Sequence, residues 1–327
     1  MKENFSGRRV LITGGLGFIG SNLARRLAEE GARVHLVDCL VPEYGGNLFN
    51  IQGMEEKIRI TRSDVGEPSI IEEAVRDQDY LFNLVGQTSH WDSMENPFPD
   101  LENNMRSQLV LLQACRRYNP AVKIVFASTR QIYGRPEYLP VDEKHPLNPV
   151  DINGIHKMAA EQYHLLYHRV WGLRTCALRL TNTYGPRMRV KDSRQTFLGE
   201  WIRSLIEGRP FEVWDGSQRR DFTYVEDAVD AFLAAAKKKE TEGKVLNVGG
   251  DCNIPLKALA EMLVEVHGSG KFTMRAFPEE RRSIDIGDYY ADSTQIQSLL
   301  GWRPRTLLKE GLKRTLSFYR ENLTHYL

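Results

Sequence analysis

Apolar residues fall along this chain in two alternating textures. Short consecutive runs suit strands buried on both faces. Stretches with apolar residues three and four apart suit helices with one buried face. Val10-Leu11-Ile12 is the first run, and residues 18–30 follow as a helix with Ile19, Leu23 and Leu27 on one side. Gly31 is placed to cap it, and Val34, Leu36 and Val37 begin a second strand that ends at Asp38. Further runs at 58–61, 80–85, 123–127 and 175–180 are separated by an acidic helical stretch, the long segment 97–118 and a helix at 154–171. The alternation predicts an α/β fold built on a doubly wound parallel sheet with helices on both faces.

After about Asn182 the texture changes. Gly185-Pro186, Gly208-Arg209-Pro210 and Asp215-Gly216 cut the chain into shorter elements, with helices expected at 195–207, 225–237, 256–266 and 294–300. Residues 1–181 are therefore read as one domain and 182–327 as a smaller α/β substrate domain, with segments of the two interleaved. Ligands of such sheets bind beyond the carboxyl ends of the strands. The loops near Val85, Ser128 and Asn182 are where chemistry is expected.

The first loop carries its own signal. Gly14, Gly17 and Gly20 lie between the first strand and its helix. Glycines let backbone approach a pyrophosphate, and the helix start offers free N–H groups and the positive end of a dipole. Asp38 follows about 20 residues on, where a carboxylate accepts from a ribose 2′-OH and would repel a 2′-phosphate. The stretch reads as a Rossmann cradle for NAD rather than NADP.

Composition changes this picture little. The 327 residues are 41% hydrophobic and 27% charged with a net charge of +1, which gives no electropositive field for nucleic acid. No apolar run reaches the length of a membrane span, and the start MKENFSGRR lacks the apolar core of a secretory signal. Cys39, Cys115, Cys176 and Cys252 are scattered without metal-ligand spacing. They read as buried free thiols of a cytoplasmic protein, and no metal is expected. The charged run at 237–240 reads as a solvated turn at a helix end.

With these loops in view, the chain resembles the extended short-chain dehydrogenase/reductases, and within them the NAD-dependent nucleotide-sugar epimerase/dehydratase family. The resemblance runs along nearly the whole chain. It rests on Thr13-Gly14-Gly15-Leu16-Gly17-Phe18-Ile19-Gly20, Asp64-Val65, Asn104, Phe126-Ala127-Ser128-Thr129, Tyr133-Gly134, Lys157, Arg179 and Asn182-Thr183-Tyr184-Gly185-Pro186. Arg220-Asp221-Phe222, Tyr224-Val225-Glu226-Asp227, Asn247-Val248-Gly249-Gly250 and Leu300-Gly301-Trp302 continue it.

The resemblance implies that NAD takes a hydride from a sugar ring carbon and later returns it. Epimerases, 4,6-dehydratases and glucuronate decarboxylases share that step. It further implies that Phe18, Ile19 and Leu84 border the cofactor, that Asp64 and Val65 hold its adenine, and that Asn104 braces the sheet beside the site. Thr129 would donate to the reacting oxygen, and Lys157 would bind the nicotinamide ribose. Asn182, Arg187, Arg194, Arg220 and Arg282 would face the nucleotide sugar. A homodimer is implied through the segments 97–118 and 154–171, with Leu109, Leu111, Leu112, Leu165 and Leu166 as apolar surface.

Two positions depart from the family pattern. Its Tyr-x-x-x-Lys is here Asn153-Gly154-Ile155-His156-Lys157, and the Asp-Glu pair that dehydratases carry after the threonine is Arg130-Gln131. An amide does not titrate, so either Lys157, Thr129 and a water chain share the proton while the catalytic candidate Asn153 positions the water or the sugar hydroxyl, or another group moves it. Residues 87–93 are expected to border the sugar, and there His90 or Asp92 is the candidate base, Asp92 otherwise orienting His90; His156 is weaker, because its neighbour Lys157 fixes a different helix face. Tyr163 and Tyr167 read as packing residues, and Tyr133 as structural. Residues 182–194 and Asp285-Ile286-Gly287-Asp288-Tyr289-Tyr290, with Arg281 and Arg282 upstream, pull toward the decarboxylases. Epimerisation is the leading expectation, decarboxylation or another lyase reaction the second, and a catalytically silent NAD-binding protein the third.

Overall fold

The computed structural model describes residues 4–194 and 196–327. Seven strands form one parallel sheet: β1 (Arg9–Thr13), β2 (Arg33–Asp38), β3 (Ile58–Arg62), β4 (Tyr80–Asn83), β5 (Lys123–Thr129), β6 (Arg174–Leu180) and, after three strands that lie elsewhere, β10 (Val245–Val248). Their spatial order is β10-β6-β5-β4-β1-β2-β3. The direction of winding reverses between β1 and β4, which opens a crevice at their carboxyl ends.

The helices are α1 (Phe18–Glu29), α2 (Pro68–Ala74), α3 (His90–Glu95), α4 (Pro97–Leu101), α5 (Ser107–Tyr118), α6 (Ile152–Trp171), α7 (Phe197–Ile206), α8 (Val225–Lys237), α9 (Leu256–His267), α10 (Thr294–Leu300) and α11 (Leu308–Asn322). Alternate residues of each central strand face opposite layers. Val10, Ile12, Phe82 and Val125 meet α1 and α8 through Leu23, Leu27, Val229 and Phe232. Leu11, Leu81 and Ile124 meet Ile71, Leu111, Leu112 and Cys115 on the other side. Leu111 and Leu112 are thus spent on the sheet and offer no outer surface.

The second lobe holds β7 (Asn182–Tyr184), β9 (Arg219–Tyr224) and β11 (Asn253–Pro255) in one small sheet, and β8 (Phe211–Trp214) with β12 (Phe272–Arg275) in another. Its core joins Trp201, Ile202, Val213, Leu259, Leu263, Leu312 and Leu316.

Several expected elements shift. The run at 80–85 ends as a strand at Asn83, the partner of Thr13, and the chain then turns away to line the crevice. The segment 97–118 is not one helix: a π-helical turn at Glu102–Arg106 separates α4 from α5. The extra residue turns Asn104 inward, where its Nδ2 donates to the Gln87 carbonyl at 2.9 Å. The helix expected from Gln195 begins at Phe197 under a Thr196 cap, and Gln195 lies outside the described residues. Only Cys115 and Cys176 are buried; Cys39 is half-buried and Cys252 exposed. Among the described residues no helix is long and apolar enough to cross a membrane.

Candidate functional site

The crevice holds a cavity of about 220 Å³. One end is made of backbone. Gly14 has φ +70° and sits so close to the Leu84 carbonyl that a Cβ would lie 2.8 Å from it. A Cβ on Gly20 would lie 2.2 Å from the Gly14 carbonyl oxygen, so α1 can pack onto the turn only without one. Gly17 is the N-cap of α1, and no side chain caps the helix. The first-turn amides of α1 are therefore left for an anion. Gly14, Gly17, Phe18, Ile19, Gly20 and Leu84 all line the cavity.

Asp38, Asp64 and Val65 do not line it. The buried Asp38 accepts from the amides of Leu16 at 2.9 Å and Leu40 at 2.8 Å, and burial nonetheless pushes its carboxyl up. Asp64 is exposed and accepts from Gly66 N at 2.6 Å; Val65 is buried in the sheet's core.

The other end is made of side chains. Thr129 closes β5 and its hydroxyl accepts from Gln131 N at 3.2 Å. Lys157 reaches in from α6 with Nζ 3.4 Å from the Ala127 carbonyl. Burial brings its ammonium down to about 8, with Asp100 acting the other way. Gly86 leaves room for it, since a Cβ there would lie 2.7 Å from Nζ.

Asn153, one turn ahead of Lys157, is buried and fixed. Its Nδ2 donates to the Gln87 carbonyl at 2.9 Å, to Gln87 Oε1 at 3.2 Å and to Asp100 Oδ2 at 2.8 Å. Asp100 is itself buried, and its Oδ1 lies 2.7 Å from His156 Nδ1. One carboxylate thus clamps Asn153 and His156 together, which turns His156 away from the cavity.

His90 lines the cavity, but Asp92 does not orient it. Asp92 pairs with Arg194 at 2.9 Å. The carboxylate beside His90 is Asp151, with Oδ2 3.0 Å from His90 Nδ1. Asp151 also accepts from Gly154 N at 2.6 Å, as the N-cap of α6, and from Gln131 Nε2 at 2.7 Å. Burial pushes its carboxyl up, but His90 and these two donors outweigh that and hold it below the usual carboxylate range. Tyr44 brings a phenol to the same wall, yet burial and the charges of Asp100 and Asp92 push its proton loss up, the wrong direction for a base.

Of the expected substrate residues, Asn182 alone lines the cavity; its Oδ1 accepts from Arg130 and its Nδ2 donates to the Asp221 carbonyl, both at 2.9 Å. The other four stand elsewhere. Arg187 is turned inward to Asn22 Oδ1 at 2.9 Å and the Asn50 carbonyl at 3.2 Å. Arg194 holds Asp92 and Asp192. Arg220 is buried and committed to the carbonyls of Arg219 and Gly287 and to Gln218, and burial brings its guanidinium down to about 10. Arg282 is largely exposed, pairs with Glu279 at 2.7 Å and borders a second concavity with Gln218 and Asp285.

Sequence reasoning missed Asp100 and Asp151; Gln87 and Ser93 bound the stretch 87–93 expected beside the sugar, and Ser93 Oγ accepts from Asn153 N at 3.2 Å. Asp151 alone carried a signal, an aspartate three residues before Gly154 at the start of a helical pattern. Behind the site Arg179, Tyr133 and Ser128, read from the motifs, form one buried network with Glu161. Arg179 pairs with Glu161 at 2.6 Å and donates to Tyr133 OH at 2.7 Å, and Ser128 donates to Glu161 at 2.7 Å.

The NAD dependent epimerase/dehydratase family model matches residues 10–249. A Xenopus tropicalis protein named UDP-glucuronic acid decarboxylase 1 is 30% identical over 97% of this chain and 73% of its own length. The solved structure of a Thermotoga maritima UDP-glucose 4-epimerase with UDP-glucose superposes with a TM-score of 0.88 at 29% identity, covering 96% of this chain and 99% of that one. A Bacillus cereus UDP-glucuronic acid 4-epimerase, solved with UDP-glucuronic acid and NAD, gives 0.85 at 25% identity over 96% and 99%.

Proposed function

The chain belongs to the NAD dependent epimerase/dehydratase family, and from that premise we propose that it epimerises a nucleotide-diphosphate sugar by transient hydride abstraction. The observation that carries the reading is the union of two ends in one cavity. An uncapped helix start with three glycines opens onto the same space as Thr129, Lys157 and His90. The cradle fits a dinucleotide, because Gly14 and Gly20 admit no Cβ and Gly17 leaves the amides of α1 open.

When bound, NAD supplies hydride acceptance and return. Gly14, Gly17, Phe18, Ile19 and Gly20 would hold its pyrophosphate, Asp38 its adenosine ribose, Asp64 and Val65 its adenine, and Leu84 and Lys157 its nicotinamide end. Thr129 donates a hydrogen bond to the reacting sugar oxygen. His90 takes the hydroxyl proton, with Asp151 stabilising the imidazolium that results. Lys157, as an ammonium, favours negative charge on the oxygen as it is deprotonated. Asn153 holds Gln87 and Asp100 in place and moves no proton. The site is thus rebuilt around an amide where the family pattern has a phenol. Asn182, Arg187, Arg194, Arg220 and Arg282 would shape the nucleotide-sugar side.

Ile155, Leu166, Val170 and Trp171 leave an exposed apolar stripe on α6, and a homodimer through that helix is part of the proposal. Sedimentation of the purified chain at the monomer mass would remove it.

The test is to add UDP-, dTDP-, GDP- and CDP-sugars to purified protein while following NADH absorbance and product stereochemistry. Transient NADH with inversion at one ring carbon supports epimerisation. Carbon dioxide release from a uronic acid substrate would instead assign a decarboxylase, and a bound dinucleotide with no turnover of any sugar a silent binder.

A further inference from the structure

Among the described residues the cavity wall contains no aspartate or glutamate, yet it carries two fixed cations, Lys157 and Arg130. Lys157 is accounted for by the proposed reaction; Arg130 is not. It follows Thr129 directly in the turn after β5, so its position is tied to the reacting end of the cavity. Its Nη2 donates to Asn182 Oδ1 at 2.9 Å. Its Nη1 is buried and has no partner among the described residues, and the same holds for the hydroxyl of Thr183 on the same wall. The guanidinium stands 5.3 Å from the centre of the Tyr289 ring. Asp221, Asp285 and Asp151 lie near enough to favour its charge, but none makes an ion pair with it.

A buried guanidinium with an unspent N–H face is an unfinished contact. A planar anion meets such a fork with two parallel hydrogen bonds, which a neutral hydroxyl cannot do. Two groups of a nucleotide-diphosphate sugar could supply the anion, the diphosphate or a carboxylate on the sugar. Adjacency to Thr129 places Arg130 at the ring that reacts. Gln131 beside it is neutral and already bound to Asp151, so nothing on this turn would repel a carboxylate.

Resting on the nucleotide-sugar reading above, we propose that Arg130, with Thr183, binds the carboxylate of a uronic acid sugar and thereby selects acidic over neutral nucleotide sugars. Arg130 is a binding residue here and takes no part in proton transfer.

The experiment uses purified, NAD-loaded protein and measures binding of UDP, UDP-glucose and UDP-glucuronic acid by calorimetry, with turnover followed in parallel. The wild type is expected to bind UDP-glucuronic acid more tightly than UDP-glucose. Arg130→Met should weaken the uronate on the order of 10–100-fold more than it weakens the hexose, the loss expected for a charged hydrogen-bonded pair. Arg130→Lys should restore part of the preference, and matched melting curves exclude misfolding. Equal weakening of UDP, UDP-glucose and UDP-glucuronic acid would assign Arg130 to the diphosphate and overturn the proposal. So would a wild type that binds the two sugars alike. Absence of turnover with every sugar would count against the proposed reaction alone, because binding still reads the carboxylate preference.

Discussion

The two ends of the cavity solve different problems with different materials. At the glycine end the turn is bare backbone, and what matters is the absence of side chains: Gly14 and Gly20 are defined by what a Cβ would strike. At the other end the wall is made of side chains, each held by a partner. Asn153 is held by Gln87 and Asp100, His90 by Asp151, and Arg130 by Asn182. Steric exclusion at Gly14 and Gly20 tolerates no Cβ. At the second end, identities can drift so long as the network around them closes.

The sharpest way to break this comparison is at the glycine end. Gly20→Ala puts a methyl 2.2 Å from backbone, whereas a Cβ on Gly17 meets nothing closer than the Gly14 carbonyl oxygen at 3.3 Å. Gly20→Ala should abolish bound dinucleotide, read as the absorbance ratio of purified protein, and lower the melting temperature. Gly17→Ala should leave the melting temperature nearly unchanged and weaken only the cofactor. Equal melting curves and equal cofactor content for both variants would mean that packing on the turn is not what holds the cradle.

That asymmetry also explains what the sequence disclosed. The cradle is local: strand, glycines, helix and Asp38 lie within thirty residues, so spacing alone exposes them. The parallel sheet was legible for the same reason, except at β10, which joins the sheet only after the second lobe has intervened. The reacting end joins residues far apart in the chain. Asp92 was the nearest acid to His90 along the sequence, but the acid beside it in space is Asp151, on another element. Arg187 and Arg220 were expected at the nucleotide sugar, and spacing could not disclose the acceptors of their own chain that their guanidinium groups hold. Arg130 was read only as a residue unable to serve as an acid, because an unspent N–H is visible only in three dimensions.

At the reacting end the next effect in size is that of His90. If it is the base, His90→Asn should slow substrate-driven NADH formation about 10²–10⁴-fold with little change in KM. A loss under about fivefold would hand proton transfer to another group. Single-turnover absorbance measurements on NAD-loaded protein separate the two.

Lys157 sharpens the comparison through pH. Its folded value of about 8 lies below its ordinary 10.5, so the ammonium is present below pH 8 and is lost above it. Activity that needs the cation should fall as pH rises through about 8. Stability should move the opposite way: between about 8 and 10.5 the unfolded chain binds the extra proton, so this group's contribution to stability rises with pH across that window. Lys157→Arg, which does not titrate there, should remove the alkaline limb from the activity profile at a reduced maximum rate. A limb that survives in the arginine variant belongs to another residue.

The smallest effect is expected where the sequence departs most visibly. Asn153→Tyr supplies the phenol expected from the resemblance, and in a site that had merely lost it activity should rise strongly. Here the amide is the donor to Gln87 and Asp100, and its backbone N–H is received by Ser93. A phenol cannot donate to both, and Asp100 would keep only His156. We therefore expect Asn153→Tyr to lower turnover about tenfold, roughly 1.4 kcal/mol in the barrier, with bound NAD unchanged. A gain of tenfold or more would show the phenol's place still open, and His90 with Asp151 would then be a neighbour of the reaction, not its base.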